Sequence, residues 1–315
     1  MISMKKCGII GCGDVGASIA FALMQSRLFN DMVLVDVNVA KAEGEAMDLS
    51  HSVPFNKPMD ICQGDYCNLK DAGIIIITAG AAQKPNETRL DLVHKNVAIF
   101  KQIIPQIKQY NTEAMLIVVS NPVDILTWVT LKLSGFPKER VIGSGTVLDT
   151  GRFKYLVGKQ LNVDPRIVHS YIIGEHGDSE VAVWSSASIG GLPIDDFCEI
   201  IGYESHIEDR KKIADEVRNS AYEIIKRKGS TYYGIASAVV RICECILRDE
   251  HSILPISSFI HAHYGVDGVC MSVPTIVGEK GVEKVLDIRL NEEEQHLIGE
   301  SYKALSTVLK EVNLD

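Results

Sequence analysis

Apolar and polar positions alternate along the first half of the chain in two regular patterns. Short, β-branched apolar runs have the length of strands buried on both faces, and they occupy residues 6–10, 32–35, 74–78 and 115–120. Segments of helical length separate them, among them the alanine-rich 15–25 and the longer 91–110. Strands that alternate with helices are typical of parallel sheets. The pattern therefore predicts an α/β fold with a Rossmann-type, doubly wound parallel sheet.

After about Asn162 the pattern changes to shorter alternating stretches, with a charged helix over 206–228 and another over 231–247. This texture predicts a mixed α+β domain, so we divide the chain into residues 1–145 and 146–315. Near the end, apolar side chains recur at spacings of 4, 3, 4 and 3, at Ile298, Tyr302, Leu305, Leu309 and Val312. Such spacing predicts an amphipathic helix that packs by one face.

The composition of the chain limits the classes of protein to which it can belong. With 315 residues and 46% hydrophobic content, the chain can bury a large core. Its 32 basic against 41 acidic side chains give a net charge of −9, which argues against nucleic acid as a partner. No apolar run approaches the roughly 18 residues of a membrane span, and no signal peptide is recognisable, so we expect no membrane association and a cytoplasmic location.

Metal and disulfide chemistry are not expected. The eight cysteines form no CxxC pair, which favours free thiols in a reducing compartment. His261 and His263 are spaced to share one face of a strand, but no third ligand accompanies them, and a structural role is favoured.

A glycine turn, Gly11-Cys12-Gly13-Asp14-Val15-Gly16, follows the first predicted strand and begins a helix. Gly11 permits the turn, Gly13 allows a pyrophosphate to approach the backbone, and Gly16 allows close packing of helix on sheet. Asp36 ends the second strand, 20 residues past Gly16, where a carboxylate would bind an adenosine ribose and repel a 2′-phosphate. The spacing therefore predicts NAD as cofactor, in preference to NADP.

Further polar segments follow predicted strands, where they would meet at the carboxyl edge of the sheet. They are Gln83–Arg89, Ser120–Asp124, Asp149–Arg152 and Gly174–Ser179. A lone histidine such as His176 is more often structural, but polar segments converging on one edge favour a functional role.

Four segments together resemble the L-lactate and malate dehydrogenase family, most closely its bacterial L-lactate members, along essentially the whole chain. They are the glycine turn, Thr88–Val93, Asn121–Asp124 with Gly143–Thr146, and Gly174–Asp178. The resemblance implies reversible hydride transfer between NADH and the carbonyl of a 2-oxo acid. Residues 1–145 would then bind NAD, and residues 146–315 would bind substrate and carry catalysis.

The resemblance assigns catalytic roles that suit the chemistry. His176 would donate the proton to the carbonyl oxygen and accept it in reverse, because histidine titrates near neutrality. Asp149 would fix its tautomer and stabilise the imidazolium. Arg152 would bind the substrate carboxylate at two points. Arg89 would close over the site and polarise the carbonyl.

The same resemblance implies further contacts. Asn121 would bond the substrate oxygen, and Thr231 would lie beside the substrate. The cofactor would also contact Val15, Lys41, Tyr66, Gly80, Ala81, Ile104, Val119, Asn121 and Ser144.

Gln83 occupies the position that selects substrate in this family. Malate enzymes have arginine there to pair with a second carboxylate, whereas neutral Gln83 favours pyruvate and L-lactate. Malate dehydrogenase and a broader 2-hydroxy acid dehydrogenase are the alternatives. A non-catalytic dinucleotide sensor is a third, which the intact set of polar residues disfavours.

The resemblance also implies a homotetramer. Many bacterial relatives are activated by fructose 1,6-bisphosphate through an arginine and a histidine. His169 matches, but Lys154 replaces the arginine and loses its two-point phosphate geometry.

Overall fold

The computed structural model describes residues 2–81 and 88–314. The strands, in chain order, are β1 (Ser3–Ile10), β2 (Asp31–Val35), β3 (Asp60–Gln63), β4 (Ala72–Ile77), β5 (Met115–Val118), β6 (Val141–Gly143), β7 (Val168–His169), β8 (Ile172–Ile173), β9 (Val181–Ala182), β10 (Ser188–Ile189), β11 (Leu192–Pro193), β12 (Ser252–Phe259), β13 (Cys270–Gly278) and β14 (Gly281–Val285). The helices are α1 (Asp14–Ser26), α2 (Val39–Ser52), α3 (Arg89–Tyr110), α4 (Val123–Ser134), α5 (Val147–Leu161), α6 (Ile194–Ile200), α7 (His206–Lys228), α8 (Tyr233–Leu247) and α9 (Glu292–Lys310).

The central sheet runs in the order β14-β13-β12-β6-β5-β4-β1-β2-β3. Strands β1 to β6 are parallel in the order 3-2-1-4-5-6, so the sheet changes direction of winding between β1 and β4. The predicted doubly wound parallel sheet is confirmed.

Alternate strand residues supply separate cores on the two faces of this sheet. On β4, Ile75 and Ile77 pack with the core that contains α3, α4 and α9, whereas Ile74 and Ile76 pack with α1, α2 and α8. Because helices cover both faces, the strands read as continuous apolar runs.

The second half combines small sheets with a long addition to the central sheet. Strands β12, β13 and β14 are antiparallel, and β12 joins β6 through the pair Ser257 and Gly143. A separate core forms where α5, α6 and α7 pack on β7, β8 and β10, around Phe153 and Val168. The predicted α+β texture is confirmed, and the strand pairing shows that one sheet crosses both halves.

Two local predictions have different outcomes. The amphipathic C-terminal helix is confirmed, since Ile298 and Leu305 are buried against the sheet. The placement of His261 and His263 on a strand is wrong, because β12 ends at Phe259 and both residues lie in the following turn. Each ring instead bonds an aspartate, at 2.8 Å and 2.9 Å, which fits a structural role.

Across the described residues, no helix combines the length and the apolar character needed to cross a bilayer.

Candidate active site

The glycine turn connects β1 to α1 and requires glycine at two positions. Gly11 has φ +102°, and a Cβ on Gly16 would lie 1.9 Å from the carbonyl oxygen of Gly11. Gly13, the N-cap of α1, has ordinary φ and open space within 4 Å of its Cβ position. The backbone amides at the start of α1 therefore face room for an anionic group.

Asp36 follows β2 and points back to this turn. Its carboxylate accepts hydrogen bonds from the backbone N–H groups of Cys12, at 2.6 Å, and Asn38, at 2.8 Å. The acidic group predicted to select the ribose is thus held beside the glycine turn.

A cavity of about 900 Å³ extends from the turn along the carboxyl edge of the sheet. It is lined by most of the predicted cofactor residues, namely Gly11, Gly13, Asp36, Lys41, Tyr66, Gly80 and Ala81. Burial, followed by the charge of Asp36, raises the pKa of Tyr66. The size and lining fit a dinucleotide.

The other predicted cofactor residues lie elsewhere around this edge. Val15 and Gly16 are in the first turn of α1, while Val119 and Ser144 follow β5 and β6 and are buried. Ile104 is fully buried in the core, and Ile103 lines the cavity in its place. The reason is helical phase, because residue 103 shares a face with 99, 106 and 110, which also line the cavity.

Asn96, which sequence reasoning missed, links two loops at the cavity. It is 1% exposed, and its side chain accepts from the Ala81 N–H and donates to the Asn121 carbonyl, both at 2.7 Å. The backbone of Asn121 is thereby held near the segment that follows β4, and the Asn121 side chain takes no part in these two hydrogen bonds.

The structure brings three of the predicted catalytic and substrate residues into one cluster. His176 Nδ1 donates to Asp149 Oδ2 at 2.6 Å, and Arg152 Nη1 donates to Asp149 Oδ1 at 2.6 Å. Asp149 and Arg152 lie one turn apart on α5, whereas His176 lies in the loop between β8 and β9. Asp149 is 1% exposed, so its charge is shared between two cationic partners away from water.

This arrangement favours a protonated histidine. Burial alone would lower the pKa of His176, but Asp149, followed by Asp124 and Glu180, raises it to about 9. Burial would raise the pKa of Asp149, yet His176 and Arg152 hold it below its ordinary value. At neutral pH the cluster therefore holds a proton on the imidazole, with Nε2 as the ring nitrogen that Asp149 does not occupy.

Two further acidic groups approach His176. Asp124, in the first turn of α4, accepts the backbone N–H of His176 at 2.8 Å and fixes the loop. A carboxylate oxygen of Glu180 lies within 4.8 Å of both a ring nitrogen of His176 and a carboxylate oxygen of Asp149. Asp124 belonged to a motif noted in the sequence, but no sequence signal marked Glu180.

The remaining predicted residues are dispersed. Gln83 and the side chain of Arg89 lie outside the described residues. Thr231 is half-buried in the link between α7 and α8, and its neighbour Ser230 donates to Asp14 of the glycine turn at 2.6 Å.

The residues noted for sugar bisphosphate activation occupy neighbouring elements. Lys154 lies on α5, where burial lowers its pKa, and exposed His169 lies on β7, which packs against that helix.

Sequence profiles of one family match both halves of the chain. The lactate/malate dehydrogenase NAD binding domain matches residues 5–143, and the alpha/beta C-terminal domain of the same family matches residues 146–314.

Individual proteins are similar over nearly their whole length. The chain is 51% identical over 311 residues to an L-lactate dehydrogenase of Acetivibrio thermocellus, covering 99% of this chain and 98% of that protein. It is 53% identical over 304 residues to one of Clostridium botulinum, covering 96% of each. Among solved structures, a ligand-bound minor L-lactate dehydrogenase from Enterococcus mundtii superposes with a TM-score of 0.95 at 43% identity, over 99% of each chain.

Proposed function

Because this chain belongs to the lactate/malate dehydrogenase family, an NAD-dependent family of 2-hydroxy acid oxidoreductases, we propose that it reduces pyruvate reversibly to L-lactate. The observation that carries the proposal is the buried contact of Asp149 with both His176 and Arg152. In this proposal His176 is the proton donor and Arg152 binds the substrate carboxylate.

The first half is the family's NAD binding domain, and its residues fit that cofactor. The open space at Gly13 and the cavity beside Asp36 would receive a pyrophosphate and a ribose, respectively. When bound, the cofactor supplies or accepts the hydride. The Asp36 carboxylate would repel a 2′-phosphate, which supports NAD over NADP.

His176 performs the proton transfer in this proposal. Its Nε2 donates a proton to the carbonyl oxygen of pyruvate and withdraws the same proton from the hydroxyl of lactate in reverse. Asp149 keeps Nδ1 protonated and stabilises the imidazolium, so the ring does not need to reorient between the two directions.

Arg152 orients the substrate by its carboxylate. One guanidinium nitrogen is committed to Asp149, and the side chain is 13% exposed, so the remaining N–H groups can meet an anion that enters the site. A planar guanidinium can form two parallel bonds with that carboxylate, which fixes the carbonyl relative to His176. Asn121, Thr231 and Arg89 complete the proposed substrate contacts.

Substrate choice rests on Gln83, which lies outside the described residues. We propose that its neutral amide favours the methyl group of pyruvate over the second carboxylate of oxaloacetate. Steady-state kcat/KM values for the two acids, each with NADH and with NADPH, test the whole proposal. A higher value for oxaloacetate would establish malate dehydrogenase instead, and no turnover with tight NADH binding would favour a sensor.

We also propose a cytoplasmic homotetramer. Large apolar side chains are exposed on the single chain, including Phe21, Tyr155 and Ile200 at 50%, 57% and 70%, which supports subunit contacts. Sedimentation would measure the assembly. Pyruvate KM with and without fructose 1,6-bisphosphate would show whether Lys154 and His169 form an activating site.

A further inference from the structure

Glu180 is a buried acid beside the catalytic cluster that the mechanism above does not use. It ends the loop that carries His176, and its backbone N–H donates to Gly177 at 3.2 Å. The residue is 6% exposed, and within the described part of the chain its Oε1 is buried without a hydrogen-bond partner. A buried carboxylate with an unsatisfied oxygen is costly, whereas the neutral acid is much less so.

Charged groups face Glu180 from several elements. Asp149 and Arg152 approach from α5, Arg218 from α7, and His176 from its own loop. Arg218 is also paired with Asp215, whose carboxylate accepts a hydrogen bond from Arg218 Nη1 at 3.0 Å. Asp124 of α4 adds another negative charge next to His176.

We propose that Glu180 carries a proton when the site binds its anionic 2-oxo acid, and that loss of this proton sets an upper pH limit on substrate binding. The inference rests on the proposed function for the identity of the anion. Burial, followed by Asp149, raises the pKa of Glu180 to about 8, while His176, Arg218 and Arg152 oppose the rise. Above that pH a new negative charge would lie within 4.8 Å of the His176 and Asp149 atoms. Coulomb repulsion between this charge and an anion bound beside His176 predicts a loss of anion affinity on the order of tenfold.

The test measures the affinity of the NADH complex for oxamate, an unreactive analogue of pyruvate, between pH 6 and about 10. In the parent, the dissociation constant should rise with pH as His176 loses its proton, and it should rise by about a further tenfold as Glu180 loses its proton. In Glu180→Gln the affinity near pH 6 should be unchanged and the further tenfold rise should be absent, so the variant should bind oxamate about tenfold more tightly than the parent near pH 10. Glu175→Gln is the matched control, because it removes another buried carboxylate of the same loop, one that accepts a hydrogen bond from Ser179, and its dissociation constants should follow those of the parent at every pH.

A second readout does not depend on substrate. The folded chain keeps the Glu180 proton up to about pH 8, whereas the unfolded chain loses it near the ordinary value of about 4.5, so the stability of the parent falls as pH rises over this interval. Glu180→Gln has no such proton, and its Tm should therefore rise relative to that of the parent over the same interval. If Glu180→Gln does not fold, Arg218→Met provides a second perturbation of the same proton. Losing that cation should raise the pKa of Glu180, so the further loss of affinity should begin at higher pH than in the parent.

The outcomes separate the two proposals. Equal dissociation constants for the parent and Glu180→Gln at every pH overturn the role in binding. A Tm difference that is constant with pH overturns the proton on Glu180. If the Tm difference changes as expected but the chain does not reduce pyruvate, the proposed function is wrong and the proton on Glu180 stands.

Discussion

Replacing Asp149 by asparagine should remove the main support for the protonated histidine. Raising the pKa of His176 from 6.5 to about 9 corresponds to about 3 kcal/mol of preference for the imidazolium. Asp149 supplies the largest favourable part of this preference, and near neutral pH, where Glu180 is protonated, Asp124 would remain to oppose burial. In Asp149→Asn we therefore expect the pKa of His176 to fall to about 6.5 or below.

The expected kinetic effect has two parts. At pH 7 the protonated fraction of His176 would fall about fourfold, from nearly complete to about a quarter. The imidazole would also lose its orienting partner, and the combined loss of about 3 kcal/mol predicts a fall in kcat/KM for pyruvate on the order of 100-fold. The alkaline limb of the pH profile should move from about pH 9 to below pH 7.

The assay is steady-state NADH oxidation with pyruvate from pH 5.5 to 9.5. Asp164→Asn makes the same substitution at a surface ion pair with Arg166, and its profile should match that of the parent. The reasoning is refuted if Asp149→Asn keeps its alkaline limb near pH 9 or loses less than threefold in kcat/KM.

Three further predictions concern the cofactor turn and pH. Position 13 has an ordinary φ and free space for a Cβ, so Gly13→Ala should leave Tm unchanged while the Kd for NADH rises at least about tenfold. Gly16→Ala should lower Tm by several degrees, because its Cβ would clash with Gly11. Asp36→Ser should reduce the ratio of NADH to NADPH affinity by at least about tenfold, and equal ratios in variant and parent would contradict the ribose assignment. Stabilisation from protonated His176 is complete below about pH 6.5 and is lost as pH rises through about 9, so the Tm advantage of the parent over His176→Gln should shrink over that interval.

The sequence predicts well those features that depend on residues close together in the chain. Apolar runs such as 74–78 place buried strands, and the spacing from Ile298 to Leu305 places the amphipathic α9. The turn from Gly11 to Gly16 also contains part of its geometric requirement in six residues, since a Cβ on Gly16 would clash with the carbonyl oxygen of Gly11. In contrast, the addition of β12 to β6 depends on a pairing between Ser257 and Gly143, for which no local pattern exists.

The same limit applies to the site. Asp149 and Arg152 share a helix, but His176 bonds Asp149 from 27 residues further along the chain, and only the resemblance to a family joins them in the sequence. Asn96 and Glu180 act through contacts at the ends of other elements, and an asparagine or glutamate alone predicts nothing about burial. The helical phase that places Ile103, and not Ile104, at the cavity becomes visible only when the facing elements are known.

The strand pairing between β6 and β12 bears on how this chain could be divided or recombined. A fragment that ends near residue 145 would leave β6 as an unpaired edge strand, whose backbone donors and acceptors could pair with a strand of another chain. A fragment that begins there would lack the template on which its longest hairpin is aligned. Chimeras that exchange halves between relatives therefore need β6 and β12 segments that pair with each other. Chimeras whose two strands do not match should be recovered mainly as aggregates.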